Sequence, residues 1–120
     1  MKVGYVVLYV NDADACGRFW VEQVGMVEKR RSDAAGFTIL QVGFPDQPFA
    51  FELVPLALME GNPDNLDLGT PSIAFKVDDL EATHADLAGR GVPVSDIGDH
   101  GGTASFAFAD PEGKWFAVTR

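Results

Sequence analysis

The sequence predicts an α+β fold built from two copies of a βαβββ module. Three observations predict it. The chain has 120 residues, which suits a single domain. The order strand, capped helix, glycine stop and three short strands is read in residues 1–55 and again in residues 71–120. Finally, the halves align on each other. When Asp12 is laid on Asp79, Leu8, Val10, Ala15 and Trp20 fall on Phe75, Val77, Ala82 and Leu87. Gly25 then meets Gly91 after a one-residue deletion, and Phe51-Glu52-Leu53 corresponds to Phe116-Ala117-Val118. Each match is weak alone. Together they keep strand, cap, helix stripe and stop in one order, which marks an internal repeat.

The elements follow in turn. Residues 3–10 are rich in Val and Tyr and predict a strand. Asn11-Asp12 offers a helix cap, and Cys16, Phe19, Trp20 and Val24 recur at helical spacing until Gly25 ends the helix. Short strands are predicted at 26–32, 37–42 and 49–54, with turns at Gly36 and from Gly43 to Pro48. Residues 56–70 hold Gly, Pro, Asn and Asp in quantity and read as a linker. Residues 71–77 begin the second module as a strand. Asp78-Asp79 caps a helix with Leu80, His84 and Leu87 on its apolar face, and Gly91 ends it. Strands are predicted near 93–97, 103–109 and 114–119, the last two joined by the turn Asp110-Pro111-Glu112-Gly113.

Composition narrows the function classes. Hydrophobic residues make up 47%, and nine Phe, two Trp and two Tyr make the core aromatic. The net charge of −9 argues against nucleic acid as a partner, because phosphate contacts need clustered Lys and Arg. The sole basic cluster, Lys29-Arg30-Arg31, is followed closely by Asp33. Such acidity favours solubility and is compatible with a cationic ligand. No apolar run is long enough for a membrane span, and the first residues read as a strand rather than a leader, so a cytoplasmic protein without membrane partners is expected. The single cysteine, Cys16, excludes an intrachain disulfide and a thiolate zinc cluster. On the helix stripe it reads as a small buried hydrophobe.

The segments LYVNDADACGRFWVEQVGM, PSIAFKVDDLEATHADLAGRGVPV and FAFADPEGKWFAV carry a resemblance to the vicinal oxygen chelate superfamily. That superfamily includes glyoxalase I, extradiol dioxygenases, and the fosfomycin and bleomycin resistance proteins. The resemblance covers nearly the whole chain, and the Asp-Pro-Glu-Gly turn is its most specific part. It implies a curled mixed sheet whose two modules form a ligand-holding cup, and it implies a homodimer.

In the metal-dependent members, His, Glu or Gln ligands come from the first and last strand of each module. Carried over residue by residue, those positions are Tyr5, Glu52, Ser72 and Ala117. Only Glu52 is a usual ligand, whereas a catalytic site normally needs three protein ligands. No metal and no cofactor are therefore expected. His84 reads as a packing residue. His100, in a glycine-rich loop that often borders the family's pocket, is a candidate ligand contact.

If the four positions face the cup, strand alternation turns Val3, Val7, Tyr9, Ala50, Val54, Ala74, Lys76 and Trp115 the same way. Pairing Ala109 with Lys114 across the last turn would add Phe106 and Phe108. The candidate ligand-binding set is then Tyr5, Glu52, Ser72, His100, Phe106, Phe108 and Trp115. Phe49, Phe51, Leu53, Ile73, Phe75, Phe116 and Val118 would form the core beneath the helices.

Three functions compete at this point. The first is a metal-independent protein that sequesters an aromatic or cationic small molecule, similar to the bleomycin resistance proteins. The second is a glyoxalase-like lyase or isomerase, or a dioxygenase, with Glu52 as its base. The third is a ligand-free accessory domain that dimerises, its aromatics filling an interface.

Overall fold

The structure is a computed structural model that describes residues 1–120, apart from the side chain of His100. The chain divides into two compact units, Met1–Thr70 and Pro71–Arg120. Each carries one βαβββ module.

In the first unit the elements are β1 (Val6–Val10), α1 (Ala13–Arg18), a π-helical turn (Phe19–Val24), β2 (Val27–Ala34), β3 (Phe37–Gly43) and β4 (Phe51–Pro55). Asp12 caps α1 as expected. It is extended, and its Oδ1 accepts the Ala15 N–H at 3.0 Å. The expected single helix changes pitch at Phe19, where two adjacent aromatics, Phe19 and Trp20, are both buried. Gly25 ends it in the left-handed region, φ 101°, which glycine enters without a Cβ penalty.

The strands form one mixed sheet in the order β1-β4-β3-β2, with β1 parallel to β4 and the other pairs antiparallel. Leu8, Leu40, Val42, Phe51 and Leu53 line one face and are almost fully buried. The helix lies on this face. Gly17 comes so close that a Cβ there would stand 2.7 Å from Leu40 Cδ1. Trp20 meets Phe51 edge-on at 5.2 Å. Burial of each such side chain contributes about 1.5–3 kcal/mol.

Between Glu28 and Arg30 the β2–β3 register shifts by a bulge. The Lys29 ammonium there donates to the carbonyls of Gln47 and Phe49. Gly43 closes the same corner, because the Phe49 carbonyl leaves no space for a side chain. In the expected linker, Leu56–Met59 forms a 3₁₀ turn, and Asn62 clasps Leu66 through two hydrogen bonds of 2.7 and 3.0 Å.

The second unit repeats the plan with β5 (Ala74–Lys76), α2 (Leu80–Gly89), β6 (Gly98–His100), β7 (Thr103–Ala109) and β8 (Trp115–Thr119). Its sheet order is β5-β8-β7-β6, and β5 runs parallel to β8. Asp79 caps α2 as Asp12 caps α1, accepting the Ala82 N–H at 2.9 Å. Phe108 stacks on Phe116 at 5.7 Å and lies 5.8 Å from Phe75. No helix is long and apolar enough to cross a membrane.

Two sequence expectations are corrected here. Residues 93–97 are not a regular strand. Val94 makes only an isolated bridge to Phe108, and β6 begins at Gly98. Pro93 has no N–H to give to a ladder. Ser95 offers its hydroxyl, in place of a carbonyl, to the Ala107 N–H at 2.8 Å. The Ser95 carbonyl binds His84 Nε2 at 2.9 Å, so that nitrogen carries the proton.

The last hairpin is also shifted by one residue from the expected pairing. Ala109 opposes Trp115, Phe108 opposes Phe116 and Phe106 opposes Val118. The cause lies in the turn. Gly113 donates to the Asp110 carbonyl at 3.0 Å and takes φ 79°, so Lys114 becomes an extra residue on the β8 side. This is the bulge that follows a type I turn with a left-handed glycine. Asp110 Oδ1 holds it by accepting the N–H groups of Glu112 and Lys114, both at 2.9 Å.

Candidate functional site

Residues directly opposed on neighbouring strands share a face of the sheet. In the first unit Val7 pairs with Glu52, Glu52 with Gln41, and Gln41 with Arg30. The row Val7, Glu52, Gln41, Arg30 therefore crosses the sheet on the face away from α1. Glu52 and Gln41 are half-buried, and Arg30 is exposed. The Gln41 amide Nε2 donates to Glu52 Oε1 at 3.1 Å. Tyr9 stands one step along on the same face, beside Val54.

The matching row of the second unit is Ala74, Ala117, Ala107. Val7 and Ala74 are equivalent in the repeat, as are Glu52 and Ala117. Where the first unit has a carboxylate and an amide, the second therefore has methyl groups. Trp115 and Ala109 pair on that same face, and Trp115 is 54% exposed.

The other expected site residues distribute as follows. Tyr5 precedes β1, is 47% exposed, and is held alongside β4 by the Val6 N–H bond to Ala50 O at 3.1 Å. Ser72 precedes β5 and is exposed. The hairpin shift puts Phe106 and Phe108 on the opposite face from Ala117. Both are 2% exposed, among Phe75, Phe116 and Val118. Their expected orientation with Trp115 is thereby corrected. Phe106 receives the His84 ring edge-on at 4.9 Å, in keeping with His84 as a packing residue. The backbone of His100 pairs with Thr103, while its side chain lies outside the described residues.

Sequence reasoning missed Gln41. Its signal was available in the alternation of FTILQVG, but joining it to Glu52 requires the β3–β4 register, which is non-local. A groove of about 430 Å³ was also missed. It opens on the helix side of the first sheet, over Leu40 and Val42, and Arg31 at its rim pairs with Glu28 at 2.8 Å and Asp14 at 3.4 Å. The Glu28 hydrogen bond is the main cause that raises the Arg31 pKa; desolvation opposes it, and the Glu28 charge and the Asp14 hydrogen bond and charge add to it. These pairs are about half exposed, a setting in which ion pairs contribute little. The groove's rim thus pairs Arg31 with two carboxylates, whereas the Glu52 row lies on the other face.

The family model described as Glyoxalase/Bleomycin resistance protein/Dioxygenase superfamily matches residues 2–118. The chain belongs to this superfamily. Solved structures with the same fold include UcmS2, at 20% identity and a TM-score of 0.80, covering 99% of this chain and 97% of that one. They also include TnmS3, an antibiotic binding protein from Streptomyces sp. CB03234, at 22% identity and a TM-score of 0.80, covering 99% and 94%. A superfamily member from Sphaerobacter thermophilus DSM 20745 matches at 19% identity and a TM-score of 0.81, covering 99% and 96%. No curated protein matches the chain.

Membership in the glyoxalase/bleomycin resistance superfamily raises the question of a metal. The positions carried over from its metal-dependent members hold Tyr5, Glu52, Ser72 and Ala117. Glu52 spends one oxygen on Gln41, and Ala117 lies between Ala74 and Ala107. One carboxylate does not fit a divalent metal that normally takes three protein ligands. Among the described residues, no group of three or more His, Cys, Asp or Glu side chains is clustered.

Proposed function

We propose that the protein is a metal-independent small-molecule-binding protein that sequesters an aromatic or cationic organic ligand. The observation that carries this reading is the state of Glu52. It is the one usual metal ligand among the four inherited positions, and its hydrogen-bond partner, Gln41 on β3, lies outside those positions. A half-buried carboxylate on the sheet face away from the helix suits an amino or cationic group. Tyr5, in the same unit, adds exposed aromatic surface, and stacking contributes about 0.5–1.5 kcal/mol per contact beyond burial. The description of TnmS3 as an antibiotic binding protein agrees with the reading. Homodimer formation belongs to the same proposal and predicts a dimer mass by light scattering at micromolar concentration.

The test is a panel of planar and cationic compounds followed by tryptophan fluorescence and melting temperature, with and without EDTA. Trp20 is fully buried and Trp115 is 54% exposed, so Trp115→Phe assigns any fluorescence change to one of the two. Saturable binding that is insensitive to EDTA and weakened by Glu52→Gln supports the proposal. A panel that never moves either readout removes its basis.

A further inference from the structure

We infer that Glu52 and Gln41 together form a two-acceptor clamp selective for planar cations with paired N–H donors, namely amidinium and guanidinium groups. The inference rests on the proposed binding role and names the ligand chemistry it would favour.

Gln41 meets Glu52 Oε1 at 3.1 Å. A carboxylate oxygen accepts only, so the atom facing it must be the amide nitrogen. That choice leaves Gln41 Oε1 as an acceptor that Glu52 does not use. Glu52 keeps Oε2 as the second. The pair thus presents two acceptor oxygens and one negative charge from adjacent strands, whose axes lie about 4.8 Å apart.

A ligand that matches must supply two donors in a plane and carry positive charge. An amidinium or guanidinium does both, and charge-assisted paired bonds are the strong, geometrically selective kind. A primary ammonium supplies the charge but concentrates its donors on one tetrahedral nitrogen. A neutral carboxamide supplies donors without charge, and its own oxygen meets an acceptor. The flanking side chains suit a planar body, because Val7 opposes Glu52, and Tyr9 and Ile39 lie on the same face. The second unit lacks this chemistry, with Ala74, Ala117 and Ala107 in the equivalent row.

The test is isothermal titration of the full chain with benzamidine, benzylamine and benzamide at neutral pH. The variants are Glu52→Gln and Gln41→Met, each first checked for unchanged folding by circular dichroism. Benzamidine is expected to bind about tenfold or more tightly than the other two. Glu52→Gln should weaken it roughly 10- to 100-fold, the range for a lost hydrogen bond to a charged group. Gln41→Met should weaken benzamidine more than benzylamine, bringing the two to the same level. A wild-type protein that binds all three equally, or a Gln41→Met variant that keeps the preference, overturns the clamp and leaves the binding role standing. Absence of binding by these probes and by the broader aromatic panel overturns both.

Discussion

The two modules share a plan and differ in what they present. Both cap the first helix with an extended Asp that accepts an N–H three residues on, at 3.0 and 2.9 Å. Both sheets run first-fourth-third-second with parallel outer pairing. In both, a Phe on the last strand sits almost fully buried beneath the sheet, Phe51 at 0% and Phe116 at 1% exposure. Yet the face away from the helix carries Glu52 and Gln41 in one module and Ala117 and Ala107 in the other. The repeat has kept what folding demands and let the other face diverge. Function is therefore to be sought in the rows where the modules disagree.

That comparison can be broken most strongly in the cores. Phe51→Ala and Phe116→Ala should each cost about 3–5 kcal/mol in denaturant unfolding. Near-equal losses are expected, and a Phe116→Ala cost below 1 kcal/mol would mean that the two cores are not equivalent. Next comes the last hairpin, where the second module has its own device. Asp110→Ala leaves the N–H groups of Glu112 and Lys114 without their carboxylate, at a cost of about 1–3 kcal/mol. Asp110→Asn should recover part of it, because one amide oxygen can still accept.

The helix caps should behave alike. Asp12→Ala and Asp79→Ala should each lower stability by about 0.5–2 kcal/mol, with thermal unfolding as the check. A loss at one cap only would show that the matched geometry conceals unequal roles. The smallest effect concerns Arg30, two strands from Glu52. At about 10 Å in water, like-charge repulsion amounts to roughly 0.4 kcal/mol, so Arg30→Ala should tighten a cation bound at Glu52 about twofold by titration at low salt. High salt should erase the gain.

Much of the fold was legible because its signals are local. Asp12, Gly25, Asp79 and Gly91 mark helix limits through capping and left-handed backbone, and the strands between them show in Val, Ile and Phe runs. What was illegible depends on pairing. The π-helical turn at Phe19 keeps the same apolar stripe as an α-helix. Pro93 and Ser95 lie beside β7 but bond to it irregularly. The extra residue at Lys114 moved the whole hairpin by one, and a one-residue slip exchanges faces. That single slip assigned Phe106 and Phe108 to the wrong side. In the first module the sequence picked out Glu52, yet its partner Gln41 emerged only from the β3–β4 register.

Metal content tests the proposed metal independence most directly. Protein purified without chelator and re-dialysed with Zn²⁺, Ni²⁺ and Mn²⁺ should be assayed by elemental mass spectrometry. No metal is expected to be retained beyond background, since Glu52 alone is a poor site. Near-stoichiometric retention of any of the three would contradict it and turn attention to an enzyme.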